Sequence, residues 1–147
     1  MNHFSKQLDI RWSDLDPNFH LRHSVYYDYG AYARISFFTE TGLTMQVLAS
    51  KNFGPIIFRE ECLFKKEIHF GDKLEITTAL VKARPDYSRW TIVHELWKNG
   101  DTLAAFITVD GAWLDTVKRK LYQPDEFLIK VFGQIPKHQD FVFEDKK

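Results

Sequence analysis

Between Ile56 and Trp113 the chain alternates apolar and polar side chains in step with an extended backbone, and this period of two narrows its possible folds more than any other feature. From Ile56 to Phe70 the even positions are Ile, Phe, Glu, Cys, Phe, Lys, Ile and Phe, while the odd positions are mostly charged. Gly71-Asp72 marks a turn. Leu74, Ile76, Thr78 and Leu80 then continue the alternation until ARPDYS (83–88) ends the strand. Trp90, Ile92, His94 and Leu96 form one face of the next strand, and Asn99-Gly100 is a hairpin signal. Leu103, Ala105, Ile107, Val109 and Trp113 line the last long strand. Strands of this kind make an antiparallel sheet with one apolar face that has to be covered.

The cover lies earlier in the chain. Residues 5–12 (SKQLDIRW) alternate weakly and read as a first strand. Ser24 is placed to cap a helix running to about Thr41, with Gly42 as its stop. Tyr26, Gly30, Ala33 and Phe37 recur at helical spacing, and Tyr29, Ile35 and Phe38 widen that face. The helix is therefore expected to be buried, with small Gly30, Ala31 and Ala33 allowing a close approach. One sheet curled round one helix is the simplest arrangement. A short helix is expected along EFLIKVF after Pro124, followed by a frayed tail, KHQDFVFEDKK. We expect one domain over 1–147, with a core at about 5–121 and a C-terminal helix and tail at 122–147. Such a sheet leaves edges, which edge-to-edge dimerisation would cover.

Composition removes several function classes. A chain of 147 residues can bury roughly 70 % of its unfolded surface, and 13 Phe, 6 Tyr and 4 Trp suggest a large core or interface. Zero formal charge with interspersed signs gives no footprint for nucleic acid or an anionic membrane, so neither is expected as a partner. The single cysteine, Cys62, rules out an internal disulfide and suits a reducing compartment. MNHFSKQLDIRW lacks the apolar core of a signal peptide, and no apolar run is long enough to span a bilayer. A cytoplasmic location is expected, with no cofactor and no metal.

The densest chemistry is DLDPNFHLRHSVYYD, residues 14–28. By local sequence alone Asp16 before Pro17 is a turn residue, Asp14 braces the same turn, and His23 is a hydrogen-bonded histidine near the helix start. Ser24 reads as a cap rather than a nucleophile. A zinc site from His20, His23 and Asp16 would need ligands that no neighbouring His or Cys supplies. Glu60 lies on an apolar strand face, where a carboxylate is costly without a partner, so it should face a cavity or another subunit. Cys62 shares that face as a small core side chain. Lys82, Arg84 and Arg89 flank one turn, where they are either solvated or available to phosphates.

The segment RWSDLDPNFHLRHSVYYDYGAYAR, followed by GPIIFREECLFKKEIHFGDKLEI and NGDTLAAFITVDGAWLD, resembles the hotdog-fold acyl-CoA thioesterases, and the 4-hydroxybenzoyl-CoA thioesterase-like branch most. The similarity spans roughly residues 5–121. Its most specific parts are the D-x-D turn with Tyr26 and Ala33-Arg34 after it, supported by Phe70-Gly71-Asp72. The resemblance implies an α+β hotdog fold, a five-stranded antiparallel sheet wrapped around one long central helix with short additional helices. It implies hydrolysis of acyl-CoA to a carboxylic acid and coenzyme A, without a cofactor, by a homodimer or homotetramer with its active site at a subunit interface.

The resemblance places the catalytic carboxylate at Asp16, as general base or as nucleophile forming a mixed anhydride. Backbone N–H groups opening the helix would polarise the thioester carbonyl. A thiol with a pKa of about 8.5 leaves without much help, so no Ser–His–Asp triad is required. His23 falls where one branch carries a second catalytic histidine. His20 matches the histidine of the Gly-His-Val-Asn-Asn loop of other members. Phe19, His20, Tyr26, Tyr27, Glu60, Arg84 and Arg89 are the expected substrate-binding residues. The chain departs from the pattern at Phe19, where glycine is common, at Arg22-His23 in place of Asn-Asn, and at Trp12 in place of tyrosine. Two other functions fit: a thioesterase for acyl carrier protein, or a non-catalytic acyl-CoA-binding module in which Phe19 fills the loop.

Overall fold

A computed structural model describes residues 3–144. Two long strands carry the architecture, β5 (Arg89–Lys98) and β6 (Thr102–Asp115), joined where Asn99 and Gly100 take φ of 55° and 83°. These positive values are what a tight hairpin turn demands, and Asn-Gly meets them with little strain. Before this hairpin come β1 (Ser5–Leu8), a 3-10 turn (Trp12–Asp14), α1 (Val25–Glu40), α2 (Met45–Lys51), β2 (Phe53–Phe64), β3 (Leu74–Thr77) and β4 (Ala79–Ala83). After it come β7 (Lys120–Leu121), α3 (Glu126–Phe132) and β8 (Lys137–Phe143).

The sheet runs β2–β6–β5, and the other side of β5 holds β3 at one end and β4 at the other. These two are one interrupted strand, broken at Thr78. β1 adds antiparallel to β3 and β8 adds parallel to β4. The expected alternation sets the core: Leu74, Ile76, Thr78, Leu80, Trp90, Ile92, His94 and Leu96 are all buried, as are Ala105, Ile107, Val109 and Trp113. Each fully buried Ile or Leu contributes about 1.5–3 kcal/mol. Trp113 gathers Phe38, Phe53, Trp90 and Phe132 at centroid distances of 5.5–6.1 Å, an aromatic centre to the core. α1 packs on β1, β2, β3 and β6 through Tyr26, Tyr29, Ala33, Phe37 and Phe38. No helix among the described residues is long and apolar enough to cross a membrane.

Several expectations need correction. The first strand stops at Leu8, because the Asp14 carboxylate accepts the Arg11 backbone N–H at 3.0 Å and folds residues 11–14 into a turn. Ser24 sits at the helix boundary without capping it; its hydroxyl accepts from Arg22 Nε at 2.9 Å instead. Ala31 faces solvent. The strand expected over 56–70 spans Phe53–Phe64 and contains a bulge. Ile57 pairs with Gly111 and Arg59 with Asp110, so Phe58 is the extra residue. Directly paired residues share a face, so Phe53, Pro55 and Ile57 take the inner face before the bulge, and Glu60, Cys62 and Phe64 after it. The short helix α2 was not anticipated; Thr44 caps it by accepting the Val47 N–H at 3.2 Å. The tail expected to be frayed forms β8, tied to β4 at Leu80, Lys82 and Ala83; its last three positions, 145–147, lie outside the described residues.

One polar cluster interrupts the apolar interior. His94 is fully buried, with Nδ1 2.9 Å from the Thr77 carbonyl and Nε2 3.1 Å from the Arg34 guanidinium. These partners assign the neutral tautomer: Nδ1–H donates to the carbonyl and Nε2 accepts from Arg34. Gly30 leaves room for the pair, since a Cβ there would lie 3.2 Å from Arg34 and 3.4 Å from His94. Burial, with the Arg34 charge adding to it, pushes the His94 pKa down to about 3. Arg34 is itself lowered by burial, only partly offset by Glu60 at 4.0 Å.

Because the folded His94 titrates below the ordinary 6.5, the unfolded chain takes up a proton that the folded chain refuses. Stability present above pH 6.5 is therefore lost progressively as pH falls toward about 3. Urea unfolding between about pH 7.5 and about pH 4.5 should show this acid-side fall, with a shallower slope in His94→Gln. Phe19 holds φ of 64° with a bulky side chain, a conformation that costs about 1 kcal/mol or more. Phe19→Gly should therefore be more stable than Phe19→Ala by about 1 kcal/mol in the same measurement.

Candidate active site

The D-x-D segment is held from both ends. Asp14 is buried and takes Arg11 Nη2 at 2.8 Å, and hydrogen bonding from Arg11 holds its carboxyl below the usual carboxylate range. The Arg22 N–H donates to the Asp14 carbonyl at 2.7 Å, and the Arg22 guanidinium reaches the Ser13 carbonyl at 2.8 Å. Leu15 bridges to Leu21, and the Leu21 N–H donates to the carbonyl of fully buried Ile68 at 2.8 Å. The loop is thus stitched to the segment between β2 and β3. Asp14 braces it, as its position in the sequence suggested.

Within this frame Asp16 folds the loop around its own side chain. Its Oδ1 accepts from the Asn18 N–H at 2.8 Å and the His20 N–H at 3.1 Å, and its N–H donates to the His20 carbonyl at 2.8 Å. The other carboxylate oxygen makes no hydrogen bond among the described residues. Asp16 is half-buried. Phe19 leaves the loop with its ring 63 % exposed, 6.4 Å from Trp12, so it does not fill the loop interior.

The first turn of α1 lies near this carboxylate. Tyr26 is buried, and its pKa is pushed up to about 12 by burial first, with the charges of Cys62 and Asp16 adding to the shift. Its ring meets Phe64 at 4.8 Å. Phe64 was not among the nominated residues, although its place on the even face of its strand carried the signal. Cys62 is half-buried, and burial raises its thiol to about 11, which leaves it protonated and a poor nucleophile. Glu60 finds its charge partner within the chain, in Arg34 at 4.0 Å. Tyr27 is half-buried.

Other nominated residues are not drawn in. His23 is exposed and makes no hydrogen bond or ion pair among the described residues. His20 instead pairs with His69 across a β-bridge and approaches Glu67 at 3.3 Å. Arg84 and Arg89 meet each other through a backbone bond of 3.0 Å, and the Arg89 guanidinium stacks over Phe58 at 4.6 Å. Arg89 opens β5, whereas Lys98 at its other end donates to the Glu67 carbonyl beside the Asp16 loop. Ten residues of strand, about 30 Å, separate the two ends. A single chain therefore does not bring these arginines to Asp16. A cleft of about 290 Å³ lies against the turn, lined by Arg11, Asp14, Val25, Asp28 and Tyr29 among others. A larger one of about 940 Å³ runs along β1, β3 and the 70–73 turn and includes none of the nominated residues.

Comparison with known proteins converges on one group. The sequence pattern of the thioesterase-like superfamily matches residues 10–132, which include the whole loop, α1 and all of the paired strands β2–β7. No sequence among the curated proteins matches significantly. A hypothetical protein from Staphylococcus aureus, solved in complex with CoA, aligns with a TM-score of 0.83 and 18 % identity over 90 % of this chain and 82 % of its own. The 1,4-dihydroxy-2-naphthoyl-CoA thioesterase from Synechocystis aligns with a TM-score of 0.79 and 16 % identity, over 90 % of this chain and 97 % of its own. For gentisyl-coenzyme A thioesterase the values are 0.77, 21 %, 88 % and 99 %. At these identities the structural likeness speaks for the fold, of hotdog type, while the sequence pattern speaks for the family. The chain belongs to the thioesterase-like superfamily.

Proposed function

We propose that this chain hydrolyses acyl-CoA thioesters to a carboxylic acid and coenzyme A, with Asp16 as the reacting carboxylate. The observation that carries this reading is the state of Asp16: one oxygen is fixed by two loop N–H groups, while the other has no donor among the described residues. A carboxylate oriented in this way can take a proton from water or attack the thioester carbon itself. α1 opens without a side-chain cap; the Val25 N–H donates to the Arg22 carbonyl at 3.0 Å, and the Tyr26 and Tyr27 N–H groups of the same turn are the ones that would meet a developing oxyanion. Family membership supports the thioester as substrate, and the CoA held by the Staphylococcus aureus relative supports a coenzyme A carrier over a protein carrier. Tyr26, Tyr27 and Phe64 would line the acyl side. Phe19, exposed above the loop, belongs at the mouth of the site.

The sheet also supports the oligomer. β2 pairs with β6 on one side only, and its free edge carries Phe58 at 52 % and Leu63 at 49 % exposure. Such an edge invites a strand from a second copy. In this assembly Arg84 and Arg89 would serve coenzyme A from the neighbouring subunit, since they lie far from Asp16 of their own chain. The sheet wrapped round α1 would then be continuous between subunits.

Asp16→Asn should reduce turnover of short, long and aromatic acyl-CoAs at least a hundredfold, with circular dichroism and elution volume unchanged. Undiminished turnover discards Asp16. A wild type that binds a non-hydrolysable acyl-CoA analogue but turns over no thioester makes the protein a binding module. A charged pair on the free edge, Phe58→Lys with Leu63→Lys, should halve the mass measured by light scattering. An unchanged mass places the interface elsewhere.

A further inference from the structure

We propose that His20, Glu67 and His69 form a binding site for one divalent transition-metal ion of the zinc class. Pairing His20 with His23 and Asp16 along the sequence left such a site without enough ligands. The fold supplies different ones, from a segment 47–49 residues downstream of His20.

The backbone sets the three side chains on one face. His20 and His69 are directly opposed across an antiparallel bridge, with ring centroids 4.9 Å apart. Opposed residues project to the same side, and so do positions i and i+2 of an extended segment, which adds Glu67. His20 Nε2 lies 3.3 Å and His69 Nε2 3.8 Å from Glu67 Oε2, and one ligand atom from each residue falls within 4.8 Å of the others. Four ligands at bond lengths of about 2.0–2.1 Å around a tetrahedral zinc stand about 3.3–3.4 Å apart, so the trio needs only a small closure. The fourth position faces solvent and suits a water.

The scaffold beneath is fixed without the ligating atoms. Ile68 is fully buried between Glu67 and His69, its carbonyl accepts the Leu21 N–H, and the His69 N–H donates to Asp72 Oδ2 at 2.8 Å. Two imidazoles and one carboxylate favour zinc, nickel or cobalt over magnesium and calcium. An ion here would clip the 16–21 loop to the 67–69 segment through His20, whose own N–H holds Asp16. It would act as a brace on that loop, and the site does not depend on the thioesterase reading.

Calorimetric titration of the full chain with Zn²⁺ tests this. The expected result is one equivalent bound with a micromolar dissociation constant, and the His20 and His69 ring resonances shifting together. His69→Gln and Glu67→Gln should each weaken binding at least tenfold. Both alter exposed side chains and keep the backbone bonds, so folding should persist, as circular dichroism can verify. His138→Gln should bind as the wild type does, and Mg²⁺ should give no heat. Absence of saturable Zn²⁺ binding overturns the proposal. So does binding unaffected by His69→Gln, or equal binding of Mg²⁺.

Discussion

The structure depends on burial of the single apolar face that the sheet presents to α1. β3, β4, β5 and β6 each contribute alternate residues to that face, and α1 answers with Tyr26, Ala33, Phe37 and Phe38. No disulfide is available to share the work, since Cys62 is the sole cysteine. Five fully buried Ile and Leu side chains from the sheet, Ile76, Leu80, Ile92, Leu96 and Ile107, together supply roughly 8–15 kcal/mol of transfer free energy before entropy is counted. That is why a neutral histidine and a buried arginine can be tolerated in the same interior. At 4.0 Å and an effective dielectric of about 20, the Arg34–Glu60 attraction is about 4 kcal/mol. Burial lowers the Arg34 pKa and Glu60 only partly offsets it, so the cluster is a cost that apolar packing offsets.

The same packing places the loop that carries Asp14 and Asp16. Once α1 lies across the sheet, its opening turn must meet the loop that delivers the chain from β1. That loop has few choices. Asp14 draws Arg11 back, Leu21 ties into Ile68, and Asp16 gathers the Asn18 and His20 N–H groups. The left-handed turn at Phe19 closes this small ring. A glycine would take that conformation freely, which gives a physical reason for the glycine common at this position in the resembling enzymes. Here the strain is accepted, and an aromatic ring is set above the loop beside Trp12.

How much of this was legible in the sequence depended on the range of the interaction. Period-two patterning found every long strand, and helical spacing found α1 to within a residue or so, because both reflect a face buried along one continuous element. EFLIKVF marked α3 to the residue. What failed were features decided by a partner far away in the chain. KHQDFVF has an ordinary tail composition and becomes β8 only because β4 offers an open edge. The Phe58 bulge is invisible in β2 alone, since it is defined by the pairing of Ile57 and Arg59 with consecutive residues of β6. Asp16 and Tyr26 could be nominated together from the sequence because loop and helix are contiguous. Glu67 and His69 were not, because only the fold brings them to His20. Arg84 and Arg89 were nominated on charge, and charge does not say at which end of a strand a residue sits.

Most of the ionisable groups that face the interior near α1 are buried or have fixed partners. Cys62, raised to about 11, is a thiol at neutral pH, and Tyr26, raised to about 12, is a phenol. His94, lowered to about 3, has both ring nitrogens committed to Thr77 and Arg34, so it can neither take nor deliver a proton. Asp14 is saturated by Arg11 and Glu60 faces Arg34. Burial or a fixed partner makes Cys62, Tyr26, His94 and Asp14 poorly suited to the proton transfer proposed for Asp16. Asp16 differs in being half-buried, oriented by backbone donors through one oxygen only, and adjacent to an uncapped helix start. A thioester needs little more, because its leaving group is already a weak base.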